Sequence, residues 1–286
     1  MYDFRQATVT AHLVTACFLA LAGFGAVQPA PSNPYVLDEL MPRPVKVETA
    51  ATGETPVVPA AALANVTVIR GPVPGAPAAT ADEAYILEIG SNGAKITAKS
   101  PFGECWARVT LDQIVRLSGG GEGGHAGRVT LPCCRIVDWP RLKWRGFMLD
   151  SVRNYLPPQG VKDVIDVMSR YKLNLFHWHL TENYAWRLES KRFPELQSER
   201  AFLHRHKGKF YTQEEFSEIV DYAYVRGVRV MPEFDFPGHA LAFRRAFGFK
   251  TEWLKEFREG VHCQQHLSDH QELQSKSGDR GGGQLQ

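Results

Sequence analysis

Polar residues that can bind or protonate a ligand follow three apolar stretches in the middle of this chain. They are Asp150 and Arg153, then His177, His179, Glu182 and Asn183, and finally the run 233–239 with Glu233, Asp235 and His239. An arginine donates several hydrogen bonds from a planar fork, and a histidine beside a carboxylate can hold or move a proton. Together these residue types predict a site for a polar ligand if the fold brings them to one place.

Each of these residues also has a purely structural interpretation. Arg153 and Asp235 can form an ion pair that ties two loops together. His177 and His179 are two apart on a predicted strand and share a face, which suits core histidines. As a metal pair they lack an evident third ligand in the sequence, so we expect no metal. The functional interpretation is favoured because all three groups of polar residues follow predicted strands.

The elements around these residues alternate between strand and helix. Strands are predicted at 144–149, 174–180 and 228–231, and a helix with Val161 and Ile165 on one face follows the first of them. A second helix opens with a capping box at Thr212 and Glu215. Repeated βα units imply a parallel sheet, either doubly wound or a (β/α)8 barrel, and both bind ligands at the carboxyl ends of their strands.

A smaller α+β unit is predicted upstream, over 81–140. Its elements are a hairpin at 85–89 and 94–98, a helix at 105–117 and a strand at 129–137. Residues 31–80 are rich in Pro, Ala, Val and Thr, which favours a partly ordered linker with one strand at 66–70. The glycine-rich 119–124 lacks a following Gly-Lys-Ser/Thr, so a flexible loop is favoured over a phosphate loop.

The composition excludes several classes of protein. The chain has 286 residues, 44% hydrophobic and 11% aromatic residues, and a net charge of +2. A long disordered protein, a collagen and a disulfide-dense miniprotein are all incompatible with these values. No cluster of Lys and Arg stands out, so we expect no binding to nucleic acid and no membrane contact beyond targeting.

The first 30 residues have the features of a secretory signal peptide. Arg5 precedes a short apolar run at 13–22, and small residues follow it. A buried helix is the alternative. A signal peptide would send the chain to an extracytoplasmic place, whether secreted, lysosomal or periplasmic. Asn65-Val66-Thr67 matches the N-glycosylation sequon.

Four cysteines lie beyond the apolar run, at Cys105, Cys133, Cys134 and Cys263. Their spacing does not match a zinc site. In an oxidising compartment Cys105 can pair with Cys133 or Cys134, and ordinary buried thiols are the alternative.

Long segments of the chain resemble glycoside hydrolase family 20, the exo-acting β-N-acetylhexosaminidases. The segments are 145–150, Arg153, 171–196, 211–223 and 230–243, and the resemblance covers 82–250. It implies an α/β fold in which 141–262 form the N-terminal part of a (β/α)8 TIM barrel, about three βα units. The hairpin unit and 131–146 resemble the small α+β domain that precedes the barrel in this family.

The resemblance also implies roles for individual residues. Arg153 corresponds to the arginine that binds the hydroxyls of the terminal sugar, and Asp235 would pair with it and hold it. His239 resembles the histidine that supports the catalytic acid, and Glu182 stands where an aspartate is usual. His179 would shape the pocket floor. The implied ligand is an oligosaccharide or glycoconjugate that ends in N-acetylglucosamine or N-acetylgalactosamine, with no cofactor and no metal.

The family's catalytic residues are an adjacent Asp-Glu pair in a His-x-Gly-Gly-Asp-Glu motif. The Asp orients the 2-acetamido group that attacks the anomeric carbon, and the Glu protonates the leaving oxygen. No Gly-Gly-Asp-Glu occurs in the 286 residues, and 263–286 have the composition of a disordered or aberrant tail. We therefore expect this polypeptide alone to be inactive and poorly stable, with an open sheet edge. A non-catalytic carbohydrate-binding remnant and a secreted fragment without a ligand are the alternatives, and the oligomeric state is left open.

Overall fold

A computed structural model of the chain describes residues 36–49, 57–59, 66–91, 93–119 and 130–248. The predicted signal peptide at 1–30, most of the glycine-rich segment, the sequon asparagine, Cys263 and the tail at 263–286 lie outside the described residues.

The N-terminal domain contains five strands that form one sheet and a helix, α1 (Pro101–Leu117). The strands are β1 (Lys46–Thr49), β3 (Val66–Arg70), β4 (Tyr85–Gly90), β5 (Gly93–Ala98) and β7 (Cys134–Asp138). Their order in the sheet is β1-β7-β4-β5-β3, and α1 packs on β4 and β5. Two short strands, β2 (Val57–Pro59) and β6 (Thr130–Pro132), pair separately. The predicted hairpin is confirmed as the antiparallel pair of β4 and β5.

Helix α1 begins one turn earlier than the apolar pattern indicated. Ser100 caps it by accepting a hydrogen bond from the Phe102 N–H, and Pro101 occupies the first turn, where its missing N–H costs nothing. Gly103 is required by the packing, since a Cβ there would come within 2.3 Å of the Ala84 carbonyl oxygen. This close approach seats the helix on the sheet.

Two predictions about this domain are corrected by the sheet pairing. The predicted linker at 31–80 includes β1, which pairs with β7, a partner far away in sequence that no local pattern reveals. Val36 and Leu40 are also buried in the domain core. The single strand predicted at 129–137 is two strands, because β6 pairs with β2 while β7 enters the large sheet.

The C-terminal domain contains a three-stranded parallel sheet of β8 (Gly146–Asp150), β9 (Leu175–His179) and β10 (Arg229–Glu233), with β9 in the centre. Its helices are α2 (Pro158–Arg170), α3 (Gln213–Tyr224) and α4 (Leu241–Phe247). The capping box predicted at Thr212 and Glu215 is confirmed. The three βα units expected from the sequence are therefore present, and α4 is an element that the sequence pattern did not predict.

One face of this sheet is a packed core and the other is open. Phe176 and Trp178 of β9 are fully buried against α2 and α3, and Trp178 stacks on Phe216. On the other face, Met148 and Met231 flank His177 in the register and are 46% and 41% exposed. Within the described residues β8 and β10 each pair only with β9. The expected open sheet edge is thus found in this part of the chain, and apolar side chains are exposed beside it.

The two domains are joined through a buried carboxylate, Glu83. It accepts hydrogen bonds from Trp106 Nε1 (2.8 Å) in its own domain, and from Asn174 Nδ2 (2.8 Å) and Arg145 Nη2 (2.5 Å) in the other. Because both domains supply donors to the same carboxylate, separating them would break charge-assisted hydrogen bonds that the contact holds away from water.

A buried lysine makes a second connection. Lys172, in the turn between α2 and β9, donates from Nζ to Tyr85 OH (2.8 Å) and to Asp138 Oδ2 (2.9 Å) of the N-terminal sheet. Tyr85 also donates to Asp138 and bonds to Thr110. Burial lowers the pKa of Lys172, and the attraction of Asp138 opposes this change. The ammonium group is therefore held by an ion pair inside the domain contact.

The cysteines of the described residues are free thiols. Cys105 and Cys133 are half-buried and Cys134 is buried, so the disulfide alternative involving these three is not present. Burial raises the pKa of Cys105 to about 11 and that of Cys134 to about 12, which suits inert structural thiols.

None of the helices in the described ranges is both long enough and apolar enough to cross a membrane.

Candidate functional site

The carboxyl ends of the three parallel strands carry the site. The register places Asp150 of β8 and Glu233 of β10 on either side of His179, the last residue of β9. Loops that follow these ends bring Arg153, Glu182 and His239 to the same place, as the sequence predicted.

Glu182 is the centre of the arrangement. Its side chain is 2% exposed, and its Oε1 atom contacts both Arg153 Nη2, at 3.2 Å, and His239 Nδ1 at a shorter distance. Its Oε2 atom accepts a hydrogen bond from the Asn183 N–H. A buried carboxylate that holds a guanidinium and an imidazole fixes the orientation of both.

Arg153 and His239 present their remaining polar atoms outward. Their side chains are 48% and 49% exposed, whereas Glu182 beneath them is buried. Since His239 uses Nδ1 on Glu182, Nε2 is the nitrogen left for a ligand. The pair therefore offers a cationic fork and an oriented imidazole at an open surface.

The predicted ion pair between Arg153 and Asp235 is wrong. Arg153 instead donates from Nη1 to Asp150 Oδ2 at 2.5 Å, and Asp150 Oδ1 accepts from the backbone N–H groups of Val152 and Arg153. Asp150 rather than Asp235 pairs with Arg153 because Asp150 lies three residues earlier, in the same turn. Asp235 donates from its backbone N–H to Thr181 Oγ1 at 2.8 Å, which connects the loops after β9 and β10.

The pKa of Asp150 follows from these contacts. Burial would raise it, but the two backbone N–H groups and the Arg153 guanidinium outweigh burial and hold the pKa below its usual value. Asp150 is therefore charged at neutral pH and keeps Arg153 in place.

His177 and His179 both contact Glu233, which the sequence analysis did not single out as their partner. His179 Nδ1 lies 2.7 Å from Glu233 Oε1, and His177 Nε2 contacts Glu233 Oε2. Burial would raise the pKa of Glu233, but its bonds to the two histidines lower it. The signal for this contact was the parallel register, which sets Glu233 opposite His179.

A second residue missed by the sequence analysis is Arg187. Its guanidinium is fully buried and donates to the carbonyl oxygens of Ser151 (3.0 Å), Val152 (2.7 Å) and Lys209, and it also contacts His206 Nδ1. Desolvation lowers its pKa to about 10. Arg187 thus supports the turn that presents Arg153. Arg187 lies within the segment 171–196 that carries the family resemblance, which was the signal available in the sequence.

Comparisons with known proteins agree with this geometry. The family profile described as "Glycosyl hydrolase family 20, catalytic domain" matches residues 142–275, and the profile "Glycosyl hydrolase family 20, domain 2" matches 36–139. The two matches divide the chain where the structure does.

Curated relatives match over a large part of this chain and a smaller part of their own. A beta-hexosaminidase of Vibrio furnissii is 38% identical over 189 residues, which is 61% of this chain and 29% of the relative. Beta-hexosaminidase A of Caenorhabditis briggsae is 33% identical over 227 residues, 79% of this chain and 38% of the relative. The chain therefore spans about a third of the length of these relatives.

Solved structures show the same likeness. A beta-N-acetylhexosaminidase from Bacteroides fragilis superimposes with a TM-score of 0.58 at 31% identity, covering 73% of this chain and 47% of that one. A family 20 exo beta-N-acetylglucosaminidase from Vibrio harveyi, solved in complex with N-acetylglucosamine, gives 0.61 at 26% identity, covering 80% and 41%.

Proposed function

The chain belongs to glycosyl hydrolase family 20, and on that premise we propose that it serves exo-β-N-acetylhexosaminidase chemistry by binding a terminal N-acetylhexosamine. The observation that carries the proposal is the network of Glu182, Arg153 and His239 at the open strand ends. The ligand would be the non-reducing end of an oligosaccharide or glycoconjugate, with chitin fragments as one source.

Each group of the network suits a different part of this ligand. The Arg153 fork, held by Asp150 and Glu182, is placed to donate to neighbouring sugar hydroxyls. His239, oriented by Glu182, leaves Nε2 to support an acid near the glycosidic oxygen. His179 and Glu233 lie deeper and would form the floor of the pocket.

The 286 residues supply these binding groups without the Asp-Glu pair that the family uses for hydrolysis. We therefore expect a polypeptide of this sequence to bind the sugar and not to cleave it. Release of nitrophenol from a nitrophenyl N-acetylglucosaminide by the purified chain would contradict this expectation.

The binding role is tested with methyl N-acetyl-β-glucosaminide and saturation-transfer NMR on the full chain. An Arg153→Ala substitution removes a charged hydrogen-bond donor, so we expect the affinity to fall about ten-fold or more. The matched control is Arg141→Ala, since Arg141 is an exposed arginine. Equal affinities for the wild type and Arg153→Ala would overturn the proposed contact. A second measurement uses a fusion of this chain to the remaining barrel segments of a family 20 relative, including its Asp-Glu pair. If this fusion binds the sugar and does not hydrolyse it, the result would favour a non-catalytic carbohydrate-binding protein.

We also propose that the chain enters the secretory route. The basic residue, apolar run and small residues within 1–30 support this, as does the sequon at Asn65. Expression in a eukaryotic host should yield a chain that is shortened at its N-terminus and sensitive to an N-glycan-removing enzyme. A full-length, unglycosylated cytosolic product would contradict the proposal.

A further inference from the structure

The backbone of His239 has an uncommon conformation. Its φ is +51°, in the left-handed region that residues with a Cβ rarely adopt. A residue persists in this region where the surrounding structure holds it there. Because the imidazole reaches Glu182 from this backbone position, the contacts that hold the backbone also decide where the ring points.

The loop that carries His239 is attached to the same short segment on both sides of the histidine. Before it, the Asp235 N–H donates to Thr181 Oγ1 at 2.8 Å. After it, the Leu241 N–H donates to Asn183 Oδ1 at 3.3 Å. The two acceptors are two residues apart, and the residue between them is the one whose carboxylate contacts the imidazole. The ring and the loop are therefore fixed against one tripeptide.

Arg245 of α4 holds the backbone of this tripeptide. Its Nη2 donates to the carbonyl oxygens of Asn183 (2.6 Å) and Ala201 (3.0 Å), and its Nε donates to the carbonyl oxygen of Arg200 (3.1 Å). The side chain is half-buried, and desolvation lowers its pKa. One guanidinium group thus connects α4 to two separate parts of the long connection between β9 and α3.

We propose that Asn183 and Arg245 are positioning residues for His239. Arg245 fixes the backbone of Asn183, and the Asn183 side chain fixes the start of α4, two residues after His239. Hydrogen bonds outside the imidazole therefore keep the histidine in its left-handed conformation. The ring then meets Glu182 through Nδ1 in a single orientation.

The contact with Glu182 alone does not account for this arrangement. A single hydrogen bond to an imidazole leaves the backbone free to relax, because rotation about the side-chain bonds of the histidine can compensate. Asn183 acts on both partners of that contact. Its N–H donates to Glu182 Oε2, its Nδ2 lies 3.4 Å from Oε1, and its Oδ1 holds the loop beyond His239. The asparagine thus aligns the carboxylate and the loop that bears the imidazole.

A fixed imidazole has a consequence for the sugar, and this consequence rests on the proposed function. With Nδ1 protonated and bonded to Glu182, Nε2 of a neutral His239 is a hydrogen-bond acceptor. Without the positioning contacts, the ring can turn away and carry its proton on Nε2, which is the tautomer that an unrestrained histidine prefers in water. Sugar affinity should then fall. The change of tautomer itself requires no ligand.

The test is the tautomer of His239, read from long-range ¹H–¹⁵N NMR spectra of the full chain at a pH where the ring is neutral. Comparison with His239→Gln assigns the signals. We expect the proton on Nδ1 in the wild type and on Nε2 in Arg245→Met and Asn183→Ala. The affinity of both variants for methyl N-acetyl-β-glucosaminide should fall about three-fold or more, the value of one hydrogen bond. Arg245→Lys should lie between Arg245→Met and the wild type, since an ammonium group lacks the guanidinium fork.

The matched control is Arg244→Met, at the neighbouring arginine of α4, whose Nε has no hydrogen-bond partner among the described residues. It should keep the tautomer and the sugar affinity of the wild type. Asn183→Ala removes one small side chain and decides the test if Arg245→Met fails to fold.

Two results would count against these expectations in different ways. The wild-type tautomer in Asn183→Ala and in a folded Arg245→Met would overturn the positioning role, even if both variants unfold at lower urea concentration. A changed tautomer with unchanged sugar affinity would contradict the placement of His239 at the sugar, while the positioning role stands.

Discussion

At the scale of single residues, the site depends on which carboxylate side chain pairs with which basic side chain. The resemblance sets Glu182 where an aspartate is usual, and in the structure its side chain contacts both Arg153 and His239. Asp150 takes the role that the resemblance suggested for Asp235. The identity of the charged groups was therefore predictable, while their pairing depended on a turn geometry that residue types do not encode.

The lowered pKa of Asp150 predicts a defined pH dependence. A carboxyl whose pKa is depressed in the folded state stabilises it above the unfolded pKa, about 4, and loses this contribution as the pH falls through the folded value. We expect Asp150→Asn to be less stable than the wild type at neutral pH and the difference to shrink below about pH 4. Urea midpoints measured across this range check it. Asp221→Asn, at an exposed helical aspartate, should show no such trend.

At the scale of elements, the strands and helices were largely predictable and the long connection between β9 and α3 was not. Apolar periodicity indicated all three strands of the parallel sheet, and the Thr212–Glu215 capping box fixed the start of α3. The connection over 180–212 is organised by Arg187, whose partners are backbone carbonyl groups. Carbonyl groups are present at every position, so the sequence does not mark which ones an arginine will bind.

Arg187 gives a prediction for this connection. Arg187→Met would leave several buried carbonyl groups without donors, so we expect a loss of more than about 3 kcal/mol in the free energy of unfolding. Hydrogen exchange at the Val152 and Arg153 amides should also accelerate. Arg187→Lys should recover only part of the loss, since an ammonium group cannot reproduce the guanidinium fork. Unchanged exchange in Arg187→Met would show that the turn is held by other contacts.

At the scale of the whole molecule, two domains with separate cores are joined by buried polar groups. The sequence indicated both domains, but β1 and the Glu83 and Lys172 contacts depend on partners that are distant along the chain. Such non-local pairings were beyond the reach of local periodicity. These buried contacts nevertheless tie the two domains together.

The Lys172–Asp138 ion pair between the domains gives a prediction about the free energy of unfolding. Lys172→Met alone leaves Asp138 charged and buried, so we expect a loss of about 3–5 kcal/mol in the free energy of unfolding. The double variant Lys172→Met/Asp138→Leu removes both charges and should lose less than Lys172→Met. Urea unfolding followed by tryptophan fluorescence measures both. A double variant at least as unstable as Lys172→Met would show that the pair itself contributes stability.

Gly227 lies just before β10, and Trp106 of the other domain covers it. Any Cβ at this position would come within 2.7 Å of the indole ring, and the φ of +78° is itself unfavourable for other residues. Position 227 of the C-terminal domain is thus restricted to glycine by Trp106, a side chain of the N-terminal domain. A chimera that exchanges either domain with that of a relative must therefore keep the glycine and the tryptophan together. A larger residue at position 227 would clash with the indole ring, and a smaller residue at position 106 would leave a cavity between the domains.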